Sequence, residues 1–154
     1  MSNLPYKAPI VVLPNEIGKI IDLKSFRPNP IVLFFYPRDN TSSCTREAKD
    51  FTENLDIFDR AKVSVFGVSK DSIESHDKFI KKQKLTISLL SDENGTVCED
   101  FGVWKEKSMY GKTYMGIERS TFIIDGKGLV IKEWRKVKVP GHVNEVLQAI
   151  ESLK

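Results

Sequence analysis

Residues 31–36 read Ile-Val-Leu-Phe-Phe-Tyr, six consecutive apolar positions, all but one β-branched or aromatic. A run that short and continuous has no wet face. It reads as a buried central strand, and Pro37 ends it. Residues 62–69, Lys-Val-Ser-Val-Phe-Gly-Val-Ser, make a second buried strand. Between the two, Ala48, Phe51, Leu55 and Phe58 recur at helical spacing, which predicts a helix over residues 43–58 with Ser42 or Ser43 as its N-cap. Strands buried on both faces need helices to cover them, so the chain is expected to be α/β.

The other segments fit that frame. Residues 10–13 and 19–22 flank a turn at 15–18 and predict an N-terminal β-hairpin. A helix is expected over 72–83, capped by Ser72 or Asp71, then a short strand at 88–90, a turn at 92–95 and a helix at 96–101. Residues 105–116 are polar and interrupted by glycine, and read as a loop or irregular hairpin. Strands at 119–124 and 129–136 are joined by Asp125-Gly126-Lys127-Gly128, a strong hairpin turn. Residues 142–153 close the chain as an amphipathic helix with Val143, Val146, Leu147 and Ile150 on one face. The expectation is one domain over residues 1–154, a mixed β-sheet flanked by helices.

Composition excludes several classes. The 154 residues carry a dispersed net charge of +3. The densest basic cluster, Lys81, Lys82 and Lys84, reads as a solvated helix face, and no basic stripe with interleaved aromatics points to a nucleic-acid partner. No stretch is long and apolar enough for a bilayer, so no membrane partner is expected. The first residues lack the charge pattern and cleavage site of a secretory signal, which makes a reducing cytoplasm the expected setting. Cys44 and Cys98 form no CxxC pair, and with only His76 and His142 on other elements a zinc site is not expected.

Cys44 carries the chemistry. It follows a buried strand, a proline and a polar loop, and it opens a helix, where free N–H groups and the positive dipole end favour a thiolate. A buried structural cysteine is the alternative, but Thr41, Ser42, Ser43 and Thr45 surround the position with hydroxyls. No histidine adjoins it, which argues against a papain-like pair. Thr41, three residues earlier, can face the sulfur or serve a turn. Pro37 can shield the sulfur or simply stop the strand.

The segment from Pro37 through Thr41 to Cys44 resembles the P-x-x-x-T-x-x-C signature of the peroxiredoxins. The continuation Thr45-Arg-Glu-Ala-Lys-Asp-Phe51 is similar to the bacterioferritin-comigratory-protein branch, also called peroxiredoxin Q. The segments Gly67-Val68-Ser69, Leu90-Ser91-Asp92, Phe101-Gly102-Val103-Trp104 and Gly116-Ile117-Glu118-Arg119-Ser120-Thr121-Phe122 extend the likeness along nearly the whole chain. The resemblance implies a thioredoxin-like fold. It matches Cys44 to the peroxidatic cysteine, Thr41 and Pro37 to the active-site loop, and Arg119 to an arginine reaching the pocket from a later strand. Glu47 fits the branch as an ion-pair partner of Arg119, with a capping or solvent-exposed carboxylate as the alternative. Backbone N–H groups at Ser43 and Cys44 would hold the leaving oxygen. The implied reaction reduces hydrogen peroxide or an alkyl hydroperoxide, leaves a sulfenic acid on Cys44 and uses no metal, haem or flavin. A thiol such as thioredoxin, glutaredoxin or glutathione would restore it. Relatives of the branch are often monomers, with dimers also known.

The chain departs from that pattern. Positions that carry a resolving cysteine in many relatives are Lys49 and Ile80 here, which implies a one-cysteine mechanism. Cys98 is the competing resolving thiol. Its Cα would have to come within roughly 7 Å of that of Cys44, which requires local unfolding or a second subunit. It reads as a packed structural thiol. Two other readings compete with peroxidase: a peroxide sensor passing oxidation to a partner protein, and a disulfide reductase, which lacks its CxxC in Ser-Ser-Cys44-Thr.

Overall fold

The computed structural model describes residues 3–153. Ten strands and five helices follow one another: β1 (Tyr6–Lys7), β2 (Val12–Pro14), β3 (Ile20–Asp22), β4 (Ile31–Phe35), α1 (Ser42–Glu53), α2 (Leu55–Arg60), β5 (Ser64–Ser69), α3 (Ile73–Gln83), β6 (Ser88–Ser91), α4 (Val97–Asp100), β7 (Trp104–Met109), β8 (Lys112–Ile117), β9 (Ser120–Ile124), β10 (Leu129–Trp134) and α5 (His142–Glu151). A 3-10 turn at Leu23–Phe26 precedes β4.

The main sheet runs β1-β10-β9-β4-β5-β6. β4 pairs parallel with β5 and antiparallel with β9, so the sheet is mixed, as expected. All five residues of β4 are buried. The period of two sends its side chains into separate cores. Ile31, Leu33 and Phe35 join Val68, Phe101, Phe122 and the N-terminal hairpin on one face. Val32, Phe34 and Tyr36 join Phe51, Phe58, Phe79 and Val146 from the helices on the other. Each such aromatic ring removed from water contributes about 2–3 kcal/mol.

Three expectations need correction, and one strand was not foreseen. The helix expected over residues 43–58 is two helices, because Asn54 turns the chain. Its side-chain amide donates to the Asp50 carbonyl at 2.8 Å, competing with the helical ladder. The N-cap of α1 is Thr41, not Ser42 or Ser43. Residues 105–116 are a regular hairpin, paired from Trp104↔Ile117 to Met109↔Lys112. Tyr110 and Gly111 make its tip with φ of 53° and 77°, the left-handed pair that a tight hairpin requires. Finally, β1 adds an edge strand against β10 that two residues of sequence did not reveal.

Candidate active site

Topology brings the site together. β4 delivers the loop 36–41 and the start of α1. Because β9 runs antiparallel beside β4, with Phe35 opposite Ser120, the residue before β9 lies at the same sheet end. That residue is Arg119. Its main-chain carbonyl accepts from Val137 N at 2.9 Å, which fixes the backbone there.

Cys44 is a free thiol, 1% exposed, in the first turn of α1. The Thr41 side chain makes no capping bond. The first-turn N–H groups of α1 therefore have neither an intrahelical partner nor that cap. Arg119 Nη2 donates to Cys44 Sγ at 3.2 Å, and Nη1 donates to Glu47 Oε1 at 2.7 Å. The Arg119 side chain is 13% exposed and that of Glu47 fully buried. One turn of helix thus places the thiol and the carboxylate side by side, and one guanidinium bridges both.

The charges of this trio are uneven. Burial pushes the Glu47 carboxyl up to about 7, against the pull of Arg119. Glu47 Oε2 is the one fully buried side-chain oxygen or nitrogen without a hydrogen-bond partner among the described residues. Burial opposes the charge of Arg119 too, but Glu47 and Cys44 outweigh it and raise its affinity for the proton.

Three sequence-selected residues sit apart from the sulfur contact. Thr41 is exposed, and its hydroxyl donates to the Arg38 carbonyl at 3.2 Å instead of engaging the sulfur. Ser43 is exposed on the first turn. Pro37 is half-buried and, with Thr41, lines a cleft of about 570 Å3 whose other walls include Trp104, Lys107, Met115 and Ile117. Trp104 and the cleft-lining Tyr114 and Met115 come from the hairpin read as irregular in sequence.

Sequence reasoning missed a buried polar lock under the loop. Asp39 Oδ1 accepts from the Tyr36 hydroxyl at 2.6 Å, while Oδ2 accepts from Ser75 Oγ at 2.8 Å and meets His76 Nδ1 at 2.8 Å. His76 Nε2 faces the Leu90 carbonyl at 3.0 Å, a contact in which the carbonyl can only accept. Asp71 Oδ2 accepts from Asp39 N at 2.8 Å and from Ser69 Oγ at 2.6 Å. Asp39, Asp71 and His76 are close enough to be metal ligands, but these atoms are committed to one another and to the loop. The lock ties the Cys44 loop to α3 and β6. Asp39 stands in the polar run Arg38-Asp39-Asn40-Thr41, so nothing in the sequence singled it out.

Cys98 lies elsewhere. It is fully buried on α4, in the core on the face of Leu33 and Phe35, whereas Cys44 belongs to the core on the face of Val32 and Phe34. Burial first, and then the Asp92 carboxylate, push its thiol well above the usual value. Asp92 accepts from Val97 N and Cys98 N at 3.1 and 2.8 Å, capping α4 in place of Thr96. The sheet itself separates the two thiols.

A buried thiol at a helix start, bridged by an arginine from the neighbouring antiparallel strand, defines a thiol-based redox protein. Residues 5–133 match the AhpC/TSA family model, and the chain belongs to that family. It is a peroxiredoxin of the Bcp, or peroxiredoxin Q, branch. Peroxiredoxin Bcp of Bacillus subtilis is 47% identical over 147 residues, covering 96% of this chain and 94% of that one. The bacterioferritin comigratory protein of Xanthomonas campestris, solved in trapped-intermediate and ligand complexes bearing on its alkyl peroxide reduction activity, superposes with a TM-score of 0.87. It is 43% identical and matches over 92% of this chain and 90% of that one. A peroxiredoxin Q cysteine mutant of Xylella fastidiosa superposes at 0.89 with 36% identity over 98% of both chains. The fold is accordingly thioredoxin-like.

Proposed function

We propose that this chain reduces hydrogen peroxide and alkyl hydroperoxides through a sulfenic acid on Cys44, in antioxidant defence. The observation that carries the reading is the Arg119–Cys44 contact at 3.2 Å. A guanidinium there favours the thiolate and presents fixed donors to the peroxide oxygens. The thiolate attacks the terminal oxygen and the O–O bond breaks. The charge moving onto the leaving oxygen meets Arg119 and the first-turn N–H groups at Ser43 and Cys44. Glu47 positions Arg119. Pro37 and Thr41 border the cleft through which peroxide approaches.

Reduction of the sulfenic acid falls to an external thiol. Lys49 and Ile80 occupy the usual resolving positions, and Cys98 is walled off behind the sheet. Thioredoxin, glutaredoxin and glutathione are the candidate donors, acting in a reducing cytoplasm on a monomer or weak dimer. Among the described residues, no helix is long and apolar enough to cross a membrane.

The test is peroxide consumption by wild type, Cys44→Ser and Cys98→Ser with each donor in turn. Turnover is expected for wild type and Cys98→Ser and not for Cys44→Ser. A single stoichiometric burst with all three donors supports the sensor reading instead. Full activity in Cys44→Ser overturns the proposal.

A further inference from the structure

The displacement at Cys44 creates an alkoxide or hydroxide, which needs a proton. The groups around the sulfur are poor sources. Arg119 holds its proton more tightly than a free guanidinium does. Glu47, its carboxyl pushed up to about 7, is fully buried with Oε1 on Arg119, and it is not among the residues that line the cleft. The Thr41 hydroxyl is turned to the Arg38 carbonyl, and it is no stronger an acid than the alcohol to be made.

The cleft walls hold few acids of useful strength. Lys70 lines the cleft, but its ammonium is paired with Glu99 at 2.6 Å and Asp92 at 3.4 Å. The Asp71 carboxylate accepts from Asp39 N and Ser69 Oγ. Arg38 is a guanidinium. Lys107 differs from all of these. Half-buried on β7, it has no carboxylate within 4 Å among the described residues. Its Nζ donates to the Ile117 carbonyl at 2.5 Å, two residues before Arg119, which leaves two N–H bonds unused.

The seat for this side chain is built. A Cβ on Gly116 would stand 3.2 Å from Lys107 Cδ and 3.4 Å from Cε, so the bare glycine leaves room for the lysine stem to cross β8. Burial and the charge of Arg119 loosen the ammonium's hold on its proton, while Cys44 and Glu118 tighten it, and the balance is a lowered pKa.

We propose that Lys107 protonates the departing oxygen of the hydroperoxide. The inference rests on the peroxidase reading of Cys44. The thiolate donates its electron pair to the terminal oxygen, forming the S–O bond of the sulfenic acid. The O–O pair leaves with the distal oxygen, which takes a proton from Nζ and departs as alcohol or water. Neutral Lys107 then recovers a proton from solvent. Sulfur is oxidised by two electrons, the peroxide is reduced by two, and the net step consumes one proton.

The test is single-turnover oxidation of the Cys44 thiol by hydrogen peroxide, followed by rapid-quench mass spectrometry across pH. Wild type, K107M, K107Q, K107R, Y114F and C44S are compared. Tyr114, opposite Lys107 in the hairpin register, is the competing proton source. The expected result is a loss of about 100-fold in K107M and K107Q. K107R should stay close to them, because arginine keeps the charge but does not surrender its proton. Y114F should keep the alkaline limb of wild type and lose far less than K107M. The wild-type rate should also fall at alkaline pH as Lys107 deprotonates, a limb absent from K107M. Wild-type rates in K107M and K107Q, restoration by K107R, or a loss confined to Y114F would each overturn the assignment. If wild type reacts no faster than C44S, the peroxidase reading itself fails, a result distinct from those three.

Discussion

Arg119 spans Cys44 Sγ and Glu47 Oε1 with its two terminal nitrogens, and no other side chain can copy that fork. Lysine offers one ammonium and cannot reach both partners in fixed geometry. Arg119→Lys is therefore expected to slow Cys44 oxidation by about 100-fold, nearly as much as Arg119→Ala. Recovery in the lysine variant, measured as the second-order rate with peroxide, would show that charge alone suffices. Glu47 predicts a pH effect on stability. Its carboxyl ionises near its ordinary 4.5 when unfolded and at about 7 when folded. Between those values the folded state keeps a proton that the unfolded state has released, so its contribution to stability is present below 4.5 and is lost as pH rises to 7. Urea titrations of wild type and Glu47→Gln should differ by a slope confined to that window, with the variant lacking the decline. Parallel curves for the two proteins would refute it.

At the scale of elements, the loop 36–41 is held by the lock beneath it. Asp39→Ala leaves His76, Tyr36 and Ser75 facing a gap, each without its buried acceptor. Each buried donor left without its acceptor costs about 1–3 kcal/mol, and urea unfolding should read that loss. A loss below about 1 kcal/mol would mean that the lock does not hold the loop. This lock was not legible in sequence, because its members come from the loop after β4, the end of β5, α3 and β6, distant along the chain. The strands around it were legible: residues 31–36 have one composition and one possible burial. The hairpin Trp104–Met109 with Lys112–Ile117 was not, since most of its residues face solvent and leave no apolar alternation. Lys107 was hidden for the same reason, one lysine in a polar stretch. The break at Asn54 escaped because Ala48, Phe51, Leu55 and Phe58 keep helical spacing through it.

At the scale of the molecule, the sheet divides the two thiols into separate cores. A Cys44–Cys98 disulfide would require α4 or the start of α1 to leave its core and pass the sheet edge. Non-reducing mass spectrometry after one equivalent of peroxide should find no such link, and a high yield of it would contradict the one-cysteine mechanism. The fold was legible because strand burial and helix spacing are local patterns. The meeting of Arg119 with Cys44 was not, since it depends on β9 returning antiparallel beside β4; only the family resemblance pointed to it. The central claim is that Cys44 is the thiol that peroxide oxidises. The direct measurement traps the sulfenic acid with a dione in the intact protein and locates the adduct by mass. One adduct is expected, on Cys44, in wild type and Cys98→Ser, and none in Cys44→Ser. An adduct on Cys98, with Cys44 unmodified, would contradict it.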